Sequence, residues 1–323
     1  MKSRTIVLTV GLTSLLATSA GAQPVQVDPA TPAYSKGAMV SGNLSAVGSD
    51  TMNNLMTYWG ETFAKHYPTV RIQVEGKGSS TAPPALQAGT AQLGPMSREM
   101  KPEEMDAIEK KYGYRPTPIR VAIDVLAVYV NKDNPIASLS LPEADAVFSK
   151  TRKLGFPNDV TTWGQLGLKG EWANKPISVY GRNAASGTYG FFKEHTLGKG
   201  DFKDTVKEQP GSASVVQGVS EDQYGMGYSG IGYRTSGVRA LPLAPKAGAG
   251  ALAPSYANAL SKAYPLSRYL YIYILRDPRK PADPLVKEFF NLVLSREGQE
   301  IVVKDGFLPL PATVVAEELA KLK

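Results

Sequence analysis

The chain has 323 residues, no cysteine, two histidines and a formal net charge of +7, with 42% hydrophobic residues. That composition is ordinary for a globular protein. It excludes a disulfide framework and a thiolate metal site, and leaves few groups for zinc chemistry or a Ser-His-Asp triad.

The N-terminus carries Lys2 and Arg4, an apolar stretch from Ile6 to Ala17, and Ala20-Gly21-Ala22. These are the three parts of a secretory signal, so cleavage is expected after Ala22 and the mature chain is expected outside the cytoplasm. The apolar stretch is short and rich in Ser and Thr for a membrane span. Removing Lys2 and Arg4 lowers the net charge by two, 7 − 2 = +5. This mild, dispersed excess favours small anions. No basic run interleaved with aromatics points to nucleic acid. Residues 23–40 are rich in Pro and Ala without periodicity and read as a flexible leader.

About 300 mature residues predict two domains or one large one. From residue 41, SGNLSAVG reads as a strand. Met52, Leu55, Met56, Trp59 and Phe63 then form one helical stripe ending before Pro68. VRIQVEG alternates Val70, Ile72 and Val74 as a strand does. APPALQAGTA is a short helix with proline in its first turn, and QLGPMS a short strand. This strand-helix alternation predicts an α/β fold with mainly parallel sheets. KPEEMDAIEKKYG starts acidic and ends basic, as a helix dipole favours. PIRVAIDVLAVYVN is a long apolar strand broken once, by Asp124. A turn and helix, a Trp-bearing segment, then PISVY and GRNAASGTYGFF repeat the strand-turn-helix pattern. SRYLYIYILR is a second long strand. Leu285, Phe289, Leu292 and Val293 have helical spacing, and a last helix closes the chain. No repeat of solenoid or propeller length recurs.

Three turns follow strands and precede helices: GSDTM, GKGSST and GRNAASGT. Ligands of open α/β sheets bind at such positions, where helix N-termini offer free N–H groups. Ser49, Thr51, Ser79, Ser80, Ser186 and Thr188 add hydroxyls, and Arg182 adds a planar fork suited to an oxyanion. Any one turn alone is most simply a helix cap; three of them beside an arginine point to an anion site. GMGYSG at 225–230 matches a dinucleotide pattern but lacks its strand-to-helix context. His195 lies shortly after Ser186, yet no nucleophile-elbow motif is present, and a surface position is expected for it.

With these turns in place the chain resembles the periplasmic phosphate-binding proteins of Pst-type ABC transporters, in the periplasmic binding protein superfamily. The resemblance rests on VGSDTM, VEGKGSSTAPPAL, GPMSREM, VAIDVLAVYVNKDNP, TTWGQL, GRNAASGTYGFF and YPLSRYLYIYIL, in the family's order over most of the mature chain. It implies a two-lobed clamp of type II kind, closing on an anion by a hinge. Lobe I is expected from residues 41–124 plus 272–323 and lobe II from 125–271, joined by crossover strands at 121–131 and 268–276. Inorganic phosphate and the membrane permease subunits are the implied partners of a monomer without cofactor, metal or catalysis. The implied phosphate ligands are Ser49, Asp50, Thr51, Ser79, Ser80, Arg182, Ser186, Gly187 and Thr188.

One departure bears on selectivity. Where familiar members carry an aspartate in a GASD-like third turn, this chain has Ser97, followed by Arg98. Phosphate near neutral pH keeps a proton that sulfate lacks, and a buried carboxylate accepts it while repelling sulfate. The replacement acceptor is therefore expected to be Asp124 or Asp50, with Arg98 either pairing with Asp124 or touching the anion. The competing readings are the same clamp tuned to sulfate, molybdate or tungstate, a secreted phosphatase or esterase using Ser186 or Ser79, and a sensing or adhesion role.

Overall fold

The structure, a computed structural model, describes residues 25–323. The expected signal peptide and the first residues of the leader lie outside the described residues. The strands are β1 (Gly42–Val47), β2 (Val70–Glu75), β3 (Gly94–Met96), β4 (Thr117–Asn131), β5 (Leu139–Ser140), β6 (Ser178–Arg182), β7 (Lys207–Gln209), β8 (Gly225–Gly230), β9 (Val238–Ala240), β10 (Leu243–Ala244) and β11 (Ser267–Ile274). The helices are α1 (Asn53–His66), α2 (Ala82–Ala88), α3 (Pro102–Tyr112), α4 (Leu141–Phe148), α5 (Gly187–Thr196), α6 (Ser212–Glu221), α7 (Tyr256–Leu260), α8 (Pro284–Val293), α9 (Arg296–Lys304) and α10 (Ala312–Ala320). Single 3-10 turns, Asp50–Met52 and Ser79–Thr81, lead into α1 and α2.

The architecture is a two-lobed α/β clamp. In one half β1 pairs in parallel with β2, and Ala46 bridges Leu93 just before β3. In the other, β6 runs parallel to β7 and β8. Between them β4 and β11 lie antiparallel, placing Arg268 opposite Asp124. β3 joins β11 and β8 joins β4, both antiparallel, so one sheet of order β3-β11-β4-β8-β6-β7 runs through both halves. The parallel arrangement read from the sequence thus describes each half, while the sheet as a whole is mixed. The cause is the pair of long strands, which must run counter to each other to pass from one half to the other and back.

The helix stripe is buried as its spacing requires. Leu55, Met56, Trp59 and Phe63 have no exposed surface, and Phe63 meets Phe289 edge to face with centroids 5.6 Å apart. Each such side chain contributes about 1.5–3 kcal/mol by leaving water. Trp59 also donates its indole N–H to the Gly298 carbonyl at 2.9 Å. The helical pattern at 285–303 is broken into α8 and α9 at Leu294–Ser295. Ser295 caps α9 by accepting from the Gly298 amide at 3.2 Å.

The expected flexible leader is corrected for its described part. Residues 25–40 are irregular but docked on α8, α9 and the start of α10. Tyr34 Oη and the Gly37 amide donate to Glu288 Oε1 at 2.9 and 3.0 Å, the Arg296 amide donates to the Pro32 carbonyl at 2.7 Å, and the Ala312 amide donates to Asp28 Oδ2 at 3.0 Å. Backbone amides, that of Ala312 foremost, hold the Asp28 carboxyl below its ordinary range. Composition predicted only the lack of periodicity; the partners lie near the far end of the sequence. Among the described residues no helix is long and apolar enough to cross a membrane.

Candidate functional site

The three turns meet where the halves face each other. Ser49, Thr51, Ser79 and Ser97 come from one side, and Arg182, Ser186, Gly187 and Thr188 from the other; all are buried. Asp50 and Ser80 stand at the edge of the group, half-buried. On the first side Ser79 Oγ accepts from the Ser97 amide at 3.0 Å and shares a hydrogen bond with Ser97 Oγ at 3.3 Å. On the second, Ser186 caps α5 by accepting from the Thr188 and Tyr189 amides at 3.1 and 3.3 Å. The positive end of α5 therefore sits at the seam.

Close approach explains two glycines. A side-chain carbon on Gly187 would overlap the Ser79 hydroxyl and lie 2.7 Å from Ser97 Oγ. Gly78, with φ +119°, turns its chain back where a methyl would strike the Ala185 carbonyl 2.5 Å away. The Ser80 amide donates to that same carbonyl at 3.1 Å, a backbone bond between the halves.

Charge is supplied in two places. Arg182 donates through Nη1 to Ser212 Oγ at 2.7 Å and through Nη2 to the Pro210 carbonyl at 3.2 Å, and it stands 3.2 Å from Asp50 Oδ2. Burial pulls its pKa down, and Asp50 opposes that shift. Asp50 Oδ2 also accepts from the Ser212 amide, the first of α6, at 2.8 Å, a favourable place for a carboxylate. Asp124 is fully buried, and its partner corrects the sequence reading: it is Arg268, not Arg98. Arg268 Nε and Nη2 donate to Asp124 Oδ2 at 2.9 and 2.7 Å, while the Ile231 amide donates to Oδ1 at 3.1 Å. Burial likewise pulls the Arg268 pKa down against the pull of Asp124. Arg98 is instead held by Glu104 at 2.7 and 2.8 Å at the start of α3, reaching the site edge only through Ser80 Oγ at 3.4 Å.

Three residues that the sequence reading passed over complete the seam: Arg268, Ser212 and Tyr233. Tyr233 Oη donates to the carbonyls of Asp50 and Thr51, both at 3.1 Å, and burial raises its pKa. Arg268 carried a usable signal, since a lone charge in an apolar alternating strand mirrors Asp124. Ser212 followed PG in a fourth strand-turn-helix step. Tyr233 had no such signal. GMGYSG forms β8, with Gly230 close enough to Asp124 that a side-chain carbon would lie 3.0 Å from its Oδ1; it cradles a carboxylate and leads only into a single 3-10 turn, Ile231–Tyr233. His195 is exposed, as its sequence context predicted.

Beside the seam lies a groove of about 1330 Å³ between the halves, lined in part by Tyr189, Phe191, Tyr269 and Tyr271. Ser80, Ser186 and Arg268 border it.

A two-lobed α/β clamp whose halves meet in a buried seam of hydroxyls, helix N-termini and arginines has the form of an oxyanion-binding protein. The chain belongs to the PBP superfamily, whose domain model matches residues 33–297. The phosphate-binding protein PstS of Pseudomonas aeruginosa is 57% identical to it over 296 residues, 92% of each chain. Protein SphX of Synechococcus elongatus is 32% identical over 273 residues, 83% of this chain and 78% of that one. Among solved structures, a putative phosphate ABC transporter substrate-binding protein with bound phosphate from Clostridium perfringens aligns with a TM-score of 0.69 and 25% identity, covering 83% of this chain and 100% of that one.

Proposed function

We propose that the chain is an extracytoplasmic substrate-binding protein that captures inorganic phosphate between its lobes and delivers it to the permease subunits of an ABC importer. The observation that carries the reading is the seam itself: buried hydroxyls and two arginines brought together from both halves, in a chain so similar to a protein named for phosphate binding. Lobe I is assigned to residues 41–124 and 272–323, lobe II to 125–271, with β4 and β11 as the hinge. Export follows from the charged, apolar and small-residue segments that end at Ala22. Ser186 acts as a helix cap and anion donor; its hydroxyl oxygen is engaged by two amides, which does not favour a nucleophile.

Asp124 reads the phosphate proton. It is fully buried, and its Oδ1 has one amide donor and room for another. Asp50 is more exposed, and its Oδ2 is committed to Ser212 and Arg182. Sulfate has no proton to offer and would place an oxyanion against a buried carboxylate, at a cost of roughly 2–5 kcal/mol.

Titration calorimetry tests this with phosphate and sulfate on the wild type and Asp124→Asn. The wild type is expected to bind phosphate far more tightly than sulfate, and the variant to narrow that ratio by about tenfold or more, about 1.4 kcal/mol. Sulfate binding more tightly than phosphate to the wild type would overturn the function. An unchanged ratio in Asp124→Asn would move the proton acceptor to Asp50.

A further inference from the structure

The seam holds two aspartate–arginine pairs joined by hydroxyls. From Asp124 the chain of contacts runs to Arg268 at 2.7 Å, to Thr188 Oγ1 at 2.8 Å, and to Thr51 Oγ1 at 3.0 Å. It continues to Ser212 Oγ at 3.5 Å, to Arg182 at 2.7 Å and to Asp50 at 3.2 Å. The pairs stand at opposite ends of a chain whose middle members are Ser212 and two of the candidate anion ligands, Thr51 and Thr188. Each arginine keeps one buried nitrogen without a partner in the chain: Nε of Arg182 and Nη1 of Arg268. An arginine serving only as a brace between β4 and β11 would be expected to use all its donors, because an unpaired buried donor is costly. Arg268 is 7% exposed and stacks its guanidinium over Phe191 at 5.2 Å, at the border of the groove.

We infer that Arg268 is a second charged ligand of the bound anion, matching Arg182 from the other end of the seam, and that together they make the clamp select the dianionic form of phosphate. The inference rests on the phosphate reading above. Coulomb energy scales with ligand charge, so removing one positive charge costs the dianion roughly twice the free energy it costs the monoanion, and the fold-loss is roughly squared. A brace that merely positioned Thr188 would cost both forms alike.

The charged and titratable groups acting on Arg268 are Asp124 on β4, Arg182 on β6 and His195 on α5, and Tyr233 after β8 faces the first two of these. Arg182 keeps its charge over the range of interest, and the raised pKa of Tyr233 keeps it neutral. Asp124 and His195 are neutralised by working in an Asp124→Asn, His195→Gln background, which also prevents Arg268→Gln from stranding a buried carboxylate. Phosphate affinity is then measured by calorimetry with and without Arg268→Gln, at about pH 5 for the monoanion and about pH 8.5 for the dianion. The expected result is a fold-loss at the higher pH at least several times that at the lower. Equal losses, or no loss, would overturn the inference while leaving phosphate binding intact; a wild type that binds no phosphate would instead overturn the phosphate reading. Arg268→Lys in the wild-type chain gives an independent check if the triple variant fails to fold. It keeps the charge, and is expected to lose affinity while retaining the wild-type ratio between the two pH values. A folded Arg268→Lys protein, judged by its thermal melt, whose ratio falls to that expected for a lost charge would also overturn the inference.

Discussion

At the scale of single residues, the seam is set by what is absent from Gly187 as much as by what its neighbours offer. Its φ is not in the left-handed region, so alanine fits the backbone, and alanine favours a helix start at least as well. The conflict arises only across the seam, at Ser79 and Ser97. Gly187→Ala is therefore expected to leave the melting temperature of the ligand-free protein unchanged while weakening phosphate binding by about tenfold or more, roughly 1.4 kcal/mol. Wild-type affinity in this variant would mean the halves do not close as tightly as the seam indicates. Residue types at the turns were readable in advance because Ser, Thr, Gly and Arg each have a distinct use beside an anion. Their partners were less so. Arg98 and Arg268 are equally plausible mates for Asp124 by composition, and only the register of β11 on β4 decides for Arg268.

At the scale of elements, the loop from α9 to the last helix carries an acid that the site does not use. Burial pushes the Asp305 carboxyl from its ordinary 3.8 up to about 7. The folded state therefore holds this proton more tightly than the unfolded chain. Its contribution favours folding most below pH 4 and is lost as pH rises through 7. Asp305→Asn should then raise the melting temperature at pH 8 by about 2–4 °C, reflecting about 1–2 kcal/mol once partial exposure is discounted, with much less effect near pH 4. Melts of both proteins across that range check it, and an equal shift at every pH would remove the titration from the explanation. Most elements were visible in the sequence because stripes and alternation record which face is buried; α1, β2, β4 and β11 are the plainest. The break between α8 and α9 was hidden, since the helical spacing continues across it and the Ser295 cap that restarts the helix leaves no periodic signal. The docking of residues 25–40 was hidden because a segment without periodicity still holds when distant groups pair with its donors and acceptors.

At the scale of the whole molecule, one sheet passes through both halves by way of β4 and β11. Opening can then proceed by twisting two strands that keep their mutual hydrogen bonds, while the bonds that must break are the few across the seam. Among these, the bond from the Ser80 amide to the Ala185 carbonyl has an unusual property: it belongs to the backbone, so no side-chain substitution is needed to watch it. Its proton exchanges with solvent only while the clamp is open. Deuterium uptake at Ser80 should therefore be slowed by phosphate in proportion to occupancy, and left unchanged by an anion that binds one half alone. Uptake insensitive to saturating phosphate would show that the two turns stay in contact throughout the cycle. The molecule thus carries an isotopic clock for its own opening, set in a turn that the ligand itself winds down.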